Sequence, residues 1–207
     1  GIRDQTPVSA FLLNRSSDLS DALHRRLVAL RLNSIYALFG TYLASPGDLR
    51  DFAGEGSMNI DNRPVIIFKA PKFAYNENEP AYVRLLALVD TLNPDPEQLL
   101  QKGKTDEARA IHDRLRAYWT ARDRFLHAGV GVRQTASVER MLDQVQEPLL
   151  AIVRQSPDFE SAYNPLLAMA RQLHKKNPDA ARRLLIELEA ANPNRQDARR
   201  MREYLYN

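Results

Sequence analysis

From residue 79 onward, apolar residues recur at helical spacing, and polar turns divide them into short segments. Tyr82, Leu85, Leu86 and Val89 stand at offsets 0, 3, 4 and 7, one stripe of an α-helix. Tyr163, Leu166, Leu167 and Ala170 repeat the same offsets. After this second stripe and a polar turn come Ala181, Leu185 and Leu188, then Pro193. A helix with one apolar stripe must lay it against a neighbour, and the small side chain of Ala181 lets that neighbour come close. The spacing predicts antiparallel helices paired through short turns.

Small, large and large residues at this spacing, closed by a proline, resemble the second helix of a tetratricopeptide-type hairpin. Ala108, His112 and Leu115 echo the pattern after Lys104-Thr105-Asp106-Glu107, with His112 filling a packing position. Val145, Leu149, Ile152 and Pro157 echo it again. The interval from Ala170 to Ala181 runs about two residues beyond the usual repeat. Pro165 reads as lying early in its helix, where a missing N–H is tolerated. Residues 117–128 read as a separate helix whose Tyr118, Trp119, Phe125 and Leu126 form no clean stripe, ended by Gly129-Val130-Gly131. Residues 197–206 read as a terminal helix that shields the last repeat from water. The expected organisation over residues 76–207 is a tetratricopeptide-like helical domain of two or three hairpins with this cap.

Residues 1–75 have a different character. Val8-Ser9-Ala10-Phe11-Leu12-Leu13 and Val65-Ile66-Ile67-Phe68 are short apolar runs that predict strands. Between them, Leu19, Leu23, Leu27 and Leu30 predict a helix capped by Ser17 or Asp18, and a second helix covers residues 35–43. Ser45-Pro46-Gly47 reads as the stop of that second helix, and residues 48–52 as a further short turn of helix. Both strands are apolar on their two alternating faces, a pattern that suits strands covered on both sides. Two readings remain open: a small hairpin packed on local helices, or strands that complete a larger sheet. The fold class expected for the whole is mainly α, with a short two-strand element in its N-terminal part.

Composition excludes several kinds of chemistry. The chain of 207 residues has no cysteine, which removes disulfides, thiolate metal sites and cysteine nucleophiles. Its four histidines, His24, His112, His127 and His174, are scattered and none lies in an HExxH arrangement, so no metal is expected. Neither a glycine-rich nucleotide loop nor a GxSxG elbow occurs, and no cofactor or catalytic residue is predicted. Asp90, Asp95 and Glu97 flank Pro94 and Pro96 and read as loop and cap residues. Mean hydropathy is −0.45, and no apolar run reaches the ~18 residues of a membrane-spanning helix. The sequence opens on Gly1 without a charged-then-apolar leader, so the expectation is an excised fragment, without a signal peptide, whose missing portion holds the chemistry.

Two groups of residues are candidates for binding or positioning. Asn59, Asp61 and Arg63 precede the second strand, where polar side chains hold a loop by bonding backbone amides. In the basic C-terminal part, Asn164, Arg171 and Lys175 share a face away from the Tyr163 stripe, and an amide with two cations suits an acidic peptide end. The other cations there, among them Arg182, Arg183, Arg195, Arg199, Arg200 and Arg202, alternate with apolar residues as on a solvated helix face. No aromatic stacking platform accompanies them, so nucleic acid is disfavoured as a partner.

Residues 42–54, Tyr-Leu-Ala-Ser-Pro-Gly-Asp-Leu-Arg-Asp-Phe-Ala-Gly, and 58–71, Met-Asn-Ile-Asp-Asn-Arg-Pro-Val-Ile-Ile-Phe-Lys-Ala-Pro, resemble the region after the catalytic core of bacterial spermidine-synthase-like proteins. These are polyamine aminopropyltransferases, in particular the long forms with a membrane-embedded N-terminal half. Ile60 and Asn62 depart from the family's usual threonine and acidic residue. The resemblance spans roughly residues 5–75, and some members continue into tetratricopeptide-like tails. It implies a non-catalytic C-terminal accessory and protein-interaction module, because the family's cofactor loop and catalytic aspartates lie upstream of the matched segment. It also implies a cytoplasmic position at the inner face of the bacterial inner membrane, with membrane contact only through the missing part of the parent. Two alternatives stand beside it: a free-standing helical scaffold for an acidic peptide, and a nucleic-acid-binding module using the basic helices.

Strands with two apolar faces and no cover expose adhesive edges. Self-association through residues 5–14 and 64–69 is the expected outcome, and sedimentation that finds only monomer at high protein concentration counts against it.

Overall fold

The computed structural model describes residues 21–54, 59–62, 64, 66, 81–92, 105–133, 135 and 137–206. Among these residues the protein is mainly α, with no strand. Residues 8–13, together with 65, 67 and 68, where the sequence predicts the two-strand element, lie outside the described residues. The helices are α1 (Asp21–Ala29), α2 (Ile35–Gly40), α3 (Pro46–Ala53), α4 (Ala81–Leu92), α5 (Asp106–Ala128), α6 (Val138–Gln155), α7 (Glu160–Leu173), α8 (Pro178–Ala191) and α9 (Asp197–Tyr206). No helix among the described residues is long and apolar enough to cross a membrane. The chain falls into two compact units, one holding α1, α2 and α5–α9 and the other α3 and α4. The boundary that the sequence suggests, near residue 75, lies inside the second unit.

In the first unit, α6, α7, α8 and α9 follow one another through the short connections 156–159, 174–177 and 192–196. Connections of this length force each helix back along its predecessor. α7 packs on both α6 and α8, α8 also reaches α6, and α9 lies on α8. The Tyr163 stripe and the Ala181 pattern that follows it in the sequence meet in this stack. Tyr163, Leu166, Ala170, Ala181, Leu185 and Leu188 are all completely buried. Ala170 and Ala181 add no bulk, so the large residues around them interdigitate instead of holding the helices apart. Local signals fix the starts. Asn177 caps α8 by accepting the Ala180 amide at 3.1 Å, with Pro178 next in line, and Ser137 caps α6 at the Arg140 amide. At the far end, Ala198 is completely buried and Met201, Leu205 and Tyr206 pack on the core, as a capping helix requires.

α5 departs from the sequence reading. Two helices with a break near residue 116 are predicted, whereas Asp106–Ala128 is one helix of 23 residues. Its interior contains neither glycine nor proline, and Thr105 starts it by accepting the Ala108 amide, so nothing local breaks it. The missing stripe has a simple cause. α5 packs on α6 and on α2, so its buried face is broad, running from His112 and Leu115 through Tyr118, Trp119, Ala121 and Arg122. Pro165 is also placed differently: α7 begins at Glu160, so the ring falls in the second turn and removes the bond that its amide would give to the Ser161 carbonyl.

Rings and one guanidinium join α2 to α5. Tyr118 stacks on Tyr36 at 6.4 Å between centroids and meets Phe159 edge-on at 5.1 Å, and Phe125 meets Phe159 at 5.4 Å. The Arg122 side chain is buried, lies 4.0 Å over the Trp119 ring, and donates to the carbonyls of Gly40 at 3.2 Å and Tyr42 at 2.7 Å. Those carbonyls stand at the negative end of α2, where a cation is most favourable. α1 contributes no buried residue: Leu23 and Leu30 of its predicted stripe are exposed.

In the second unit, Ser45 and Asp48 form a capping box that starts α3, the Asp48 amide meeting Ser45 Oγ at 3.1 Å and the Ser45 amide meeting Asp48 Oδ2 at 2.8 Å. The Ser45-Pro46-Gly47 segment is therefore the start of a helix, and α2 has already ended at Gly40. The hydrogen bonds from Ser45 hold the Asp48 carboxyl below its ordinary pKa. On α4, Leu86 and Val89 are buried, while Tyr82 and Leu85 of the same stripe are exposed.

Gly40 sets the distance between α2 and α5. A Cβ there would stand 2.5 Å from Tyr118 Cε1, and that ring is held between Tyr36 and Phe159. Gly40→Ala is expected to destabilise the protein by about 1–3 kcal/mol, read as a lower midpoint in urea unfolding with an unchanged slope.

Candidate ligand-binding cleft

A cleft of about 400 Å³ opens where the α1–α2 turn, the middle of α5, the start of α7 and the α8–α9 connection converge. Its lining carries three guanidinium groups (Arg31, Arg114 and Arg195), two carboxylates (Asp158 and Glu160) and the amides of Asn33, Asn192 and Asn194. Charged groups in such a place are set by what each is tied to.

Arg114 leans from α5 across to the α6–α7 connection. Its Nε and Nη2 donate to the two Asp158 carboxylate oxygens at 3.1 and 2.6 Å, a bidentate pair. The same guanidinium lies 4.5 Å over the Tyr36 ring. The hydrogen bonds that Arg114 donates to Asp158 raise the Arg114 pKa, and burial raises that of the Tyr36 phenol against the opposing pull of Arg114. Arg195 is held on three sides. Its Nε donates to Asp197 at 2.6 Å and its Nη2 to Asn164 Oδ1 at 3.1 Å, while its Nη1 stands 3.7 Å from Glu160. It also lies 4.3 Å over the Tyr163 ring, whose hydroxyl accepts the Ala198 amide at 3.1 Å. Burial is the main cause of the raised pKa of Tyr163, and also of Tyr118 at the cleft floor.

Asn192 and Arg31 are placed by backbone geometry. Asn192 is the C-cap of α8 and is only 2% exposed. Its Nδ2 donates to the Pro157 carbonyl at 2.9 Å, tying the end of α8 to the α6–α7 connection. Its Oδ1 is buried without a hydrogen-bond partner. Arg31 closes α1 in the left-handed region at φ 58°, a conformation seldom taken by a residue other than glycine. The hydrogen bonds from Arg31 N to Val28 O at 2.9 Å and from Leu32 N to Leu27 O at 2.8 Å complete a Schellman end.

Among the residues singled out from sequence, Asn164 accepts a hydrogen bond from Arg195 and so positions that guanidinium. α7 ends at Leu173, so Lys175 stands in the following turn; Arg171 and Lys175 are both exposed and neither lines the cleft. In the other unit, Asn59 Oδ1 accepts the Ile66 amide at 3.0 Å and Asp61 is exposed, while Arg63 lies outside the described residues. Several cations of the basic C-terminal part are engaged within the fold. Arg199 and Arg202 bind Glu189 at 2.6 and 3.1 Å, which holds the Glu189 carboxyl below its ordinary pKa. Among the described residues no group of three or more His, Asp or Glu side chains is arranged to hold a metal.

No protein-family model, curated protein or solved structure matches this chain. What the cleft can do is therefore read from its own chemistry. Rigidly held donors and acceptors suit recognition of a small polar segment.

Arg31, Arg114, Asp158 and Asn192 carry no spacing signal in the sequence, since they converge from four separate turns and helices. Asn192 and Asn194 flank Pro193, where the pattern signals only the end of a helix. Replacing the strained residue offers a direct check: Arg31→Gly is expected to stabilise the protein by about 0.5–1 kcal/mol, read as a higher midpoint of thermal unfolding.

Proposed function

We propose that this chain is a non-catalytic interaction module, the C-terminal region of a spermidine-synthase-like aminopropyltransferase of the membrane-fused kind. The cleft carries the interaction part of this reading. Its charged side chains are cross-tied from different elements, Arg114 to Asp158 and Arg195 to Asp197, Asn164 and Glu160. Groups fixed in this way are suited to recognising a shape and a charge pattern. The stacked helices α6–α9 support the tetratricopeptide-like reading, in which repeats present a surface to a protein partner or to a second copy. Parentage rests on the likeness of residues 42–54 and 58–71 to the segment that follows the synthase core. With that parentage the module lies at the inner face of the bacterial inner membrane, and the remainder of the parent supplies the membrane contact.

A nucleic-acid role is less well supported, because Arg195, Arg199 and Arg202 already serve intramolecular pairs and phosphate binding would have to compete with them.

Titration calorimetry of the 207-residue chain with putrescine and with a thioether nucleoside is expected to give no binding heat. Micromolar affinity for either compound overturns the non-catalytic assignment.

A further inference from the structure

We infer that the turn between α7 and α8 is a docking surface for an anionic phospholipid bilayer, a contact made by this chain itself that goes beyond the interaction-module reading. The charge distribution supplies the first argument. Residues 171–183 hold Arg171, Lys175, Lys176, Arg182 and Arg183 against the single carboxylate of Asp179, a local excess of four positive charges in a chain whose whole net charge is +3. The remainder of the chain, taken together, is slightly acidic.

The fold gathers these cations. The 174–177 connection turns α8 back along α7, so the last turn of one helix and the first turns of the other stand side by side. All five side chains are exposed, and none forms an ion pair among the described residues. Arg195, Arg199 and Arg202, by contrast, are held by carboxylates. Arg182 lies 5.8 Å over the Tyr206 ring, and the Tyr206 hydroxyl donates to the Pro178 carbonyl. That bond brings the end of α9 to the same turn, and with it Tyr204, which is 86% exposed.

The form of the surface selects the partner. The cleft lies toward the other end of α7, about 20 Å away along a helix of 14 residues, and none of the five cations lines it. Charges on a turn, outside any groove, attract through their summed field and not through shape. Clusters of about four to eight Lys and Arg side chains are what the anionic headgroups of a leaflet attract. An exposed tyrosine beside them suits the headgroup layer, where its ring meets apolar surroundings and its hydroxyl meets water. Nucleic acid is the poorer match. A duplex is read by a helix or strand laid in a groove, and a single strand needs successive aromatic platforms, whereas Tyr204 is the one strongly exposed ring at this turn among the described residues.

The test is co-sedimentation of the whole chain with sucrose-loaded vesicles of phosphatidylcholine containing about 30% phosphatidylglycerol. Binding is expected, about tenfold or more tighter than to vesicles of phosphatidylcholine alone, and lost at about 1 M salt, where screening is nearly complete. Lys175→Gln with Lys176→Gln is expected to weaken it about tenfold with an unchanged thermal midpoint, and Tyr204→Ala by a smaller factor. Arg25→Gln with Arg26→Gln removes the same charge from α1 and is expected to leave binding as it was. An equal loss from that second pair assigns the effect to net charge and overturns the docking surface, as does equal affinity for the two kinds of vesicle. Displacement from the vesicles by a single-stranded oligonucleotide at equal phosphate concentration overturns it in favour of nucleic acid. Each of these failures leaves the interaction module standing; that module fails instead if putrescine or the nucleoside is bound.

Discussion

The close packing of α7 between α6 and α8 underlies the first unit. Tyr163, Leu166 and Ala170 on α7 and Ala181, Leu185 and Leu188 on α8 are fully enclosed, and each large buried side chain contributes about 1.5–3 kcal/mol by leaving water. Tyr163 also carries a polar end into this core, where the Ala198 amide reaches its hydroxyl and the Arg195 guanidinium covers its ring. The start of α9, the orientation of Arg195 and the rim of the cleft thus all refer back to one buried ring. A shift of α7 by a fraction of a turn would move every one of them.

α2 is attached by different physics. It is a helix of six residues with one buried side chain, Tyr36, far too short to hold together unaided. Ring contacts to Tyr118, the Arg122 guanidinium on its terminal carbonyls and the close approach at Gly40 hold it on α5. Arg122 is itself buried, so the arrangement works in both directions. Asp123 pairs with its charge at 2.8 Å, and the carbonyls of Gly40 and Tyr42 accept from the remaining guanidinium nitrogen, Nη1.

The parts of the fold legible in the sequence are those written in period and caps. The stripes on α7 and α8, the loop after α5 and the terminal helix all appear as short-range patterns, and the stripes of α7 and α8 form the core. What escaped was set by long-range contact. α5 looks irregular because two neighbours bury it from different sides. The Ser45 capping box reads as a stop because a proline and a glycine follow it, although proline in the first turn favours a start. None of the candidate site residues read from the sequence lines the cleft; Asn164 bears on it only by supporting Arg195. Arg31 and Asn192 owe their placement to two helix ends far apart in the chain, and no local pattern reports such a meeting.

The span between those residues bears on how the cleft comes into being. Helices α5 to α9 contact their successors in sequence and can assemble progressively, as low-contact-order chains do. The cleft wall that holds Arg31 and Ser34 arrives from the opposite end of the chain. A partly folded molecule with a complete C-terminal stack but an undocked α2 would therefore retain nearly all its helix content and yet have no pocket. Loss of the cleft would precede loss of helicity as the protein is warmed.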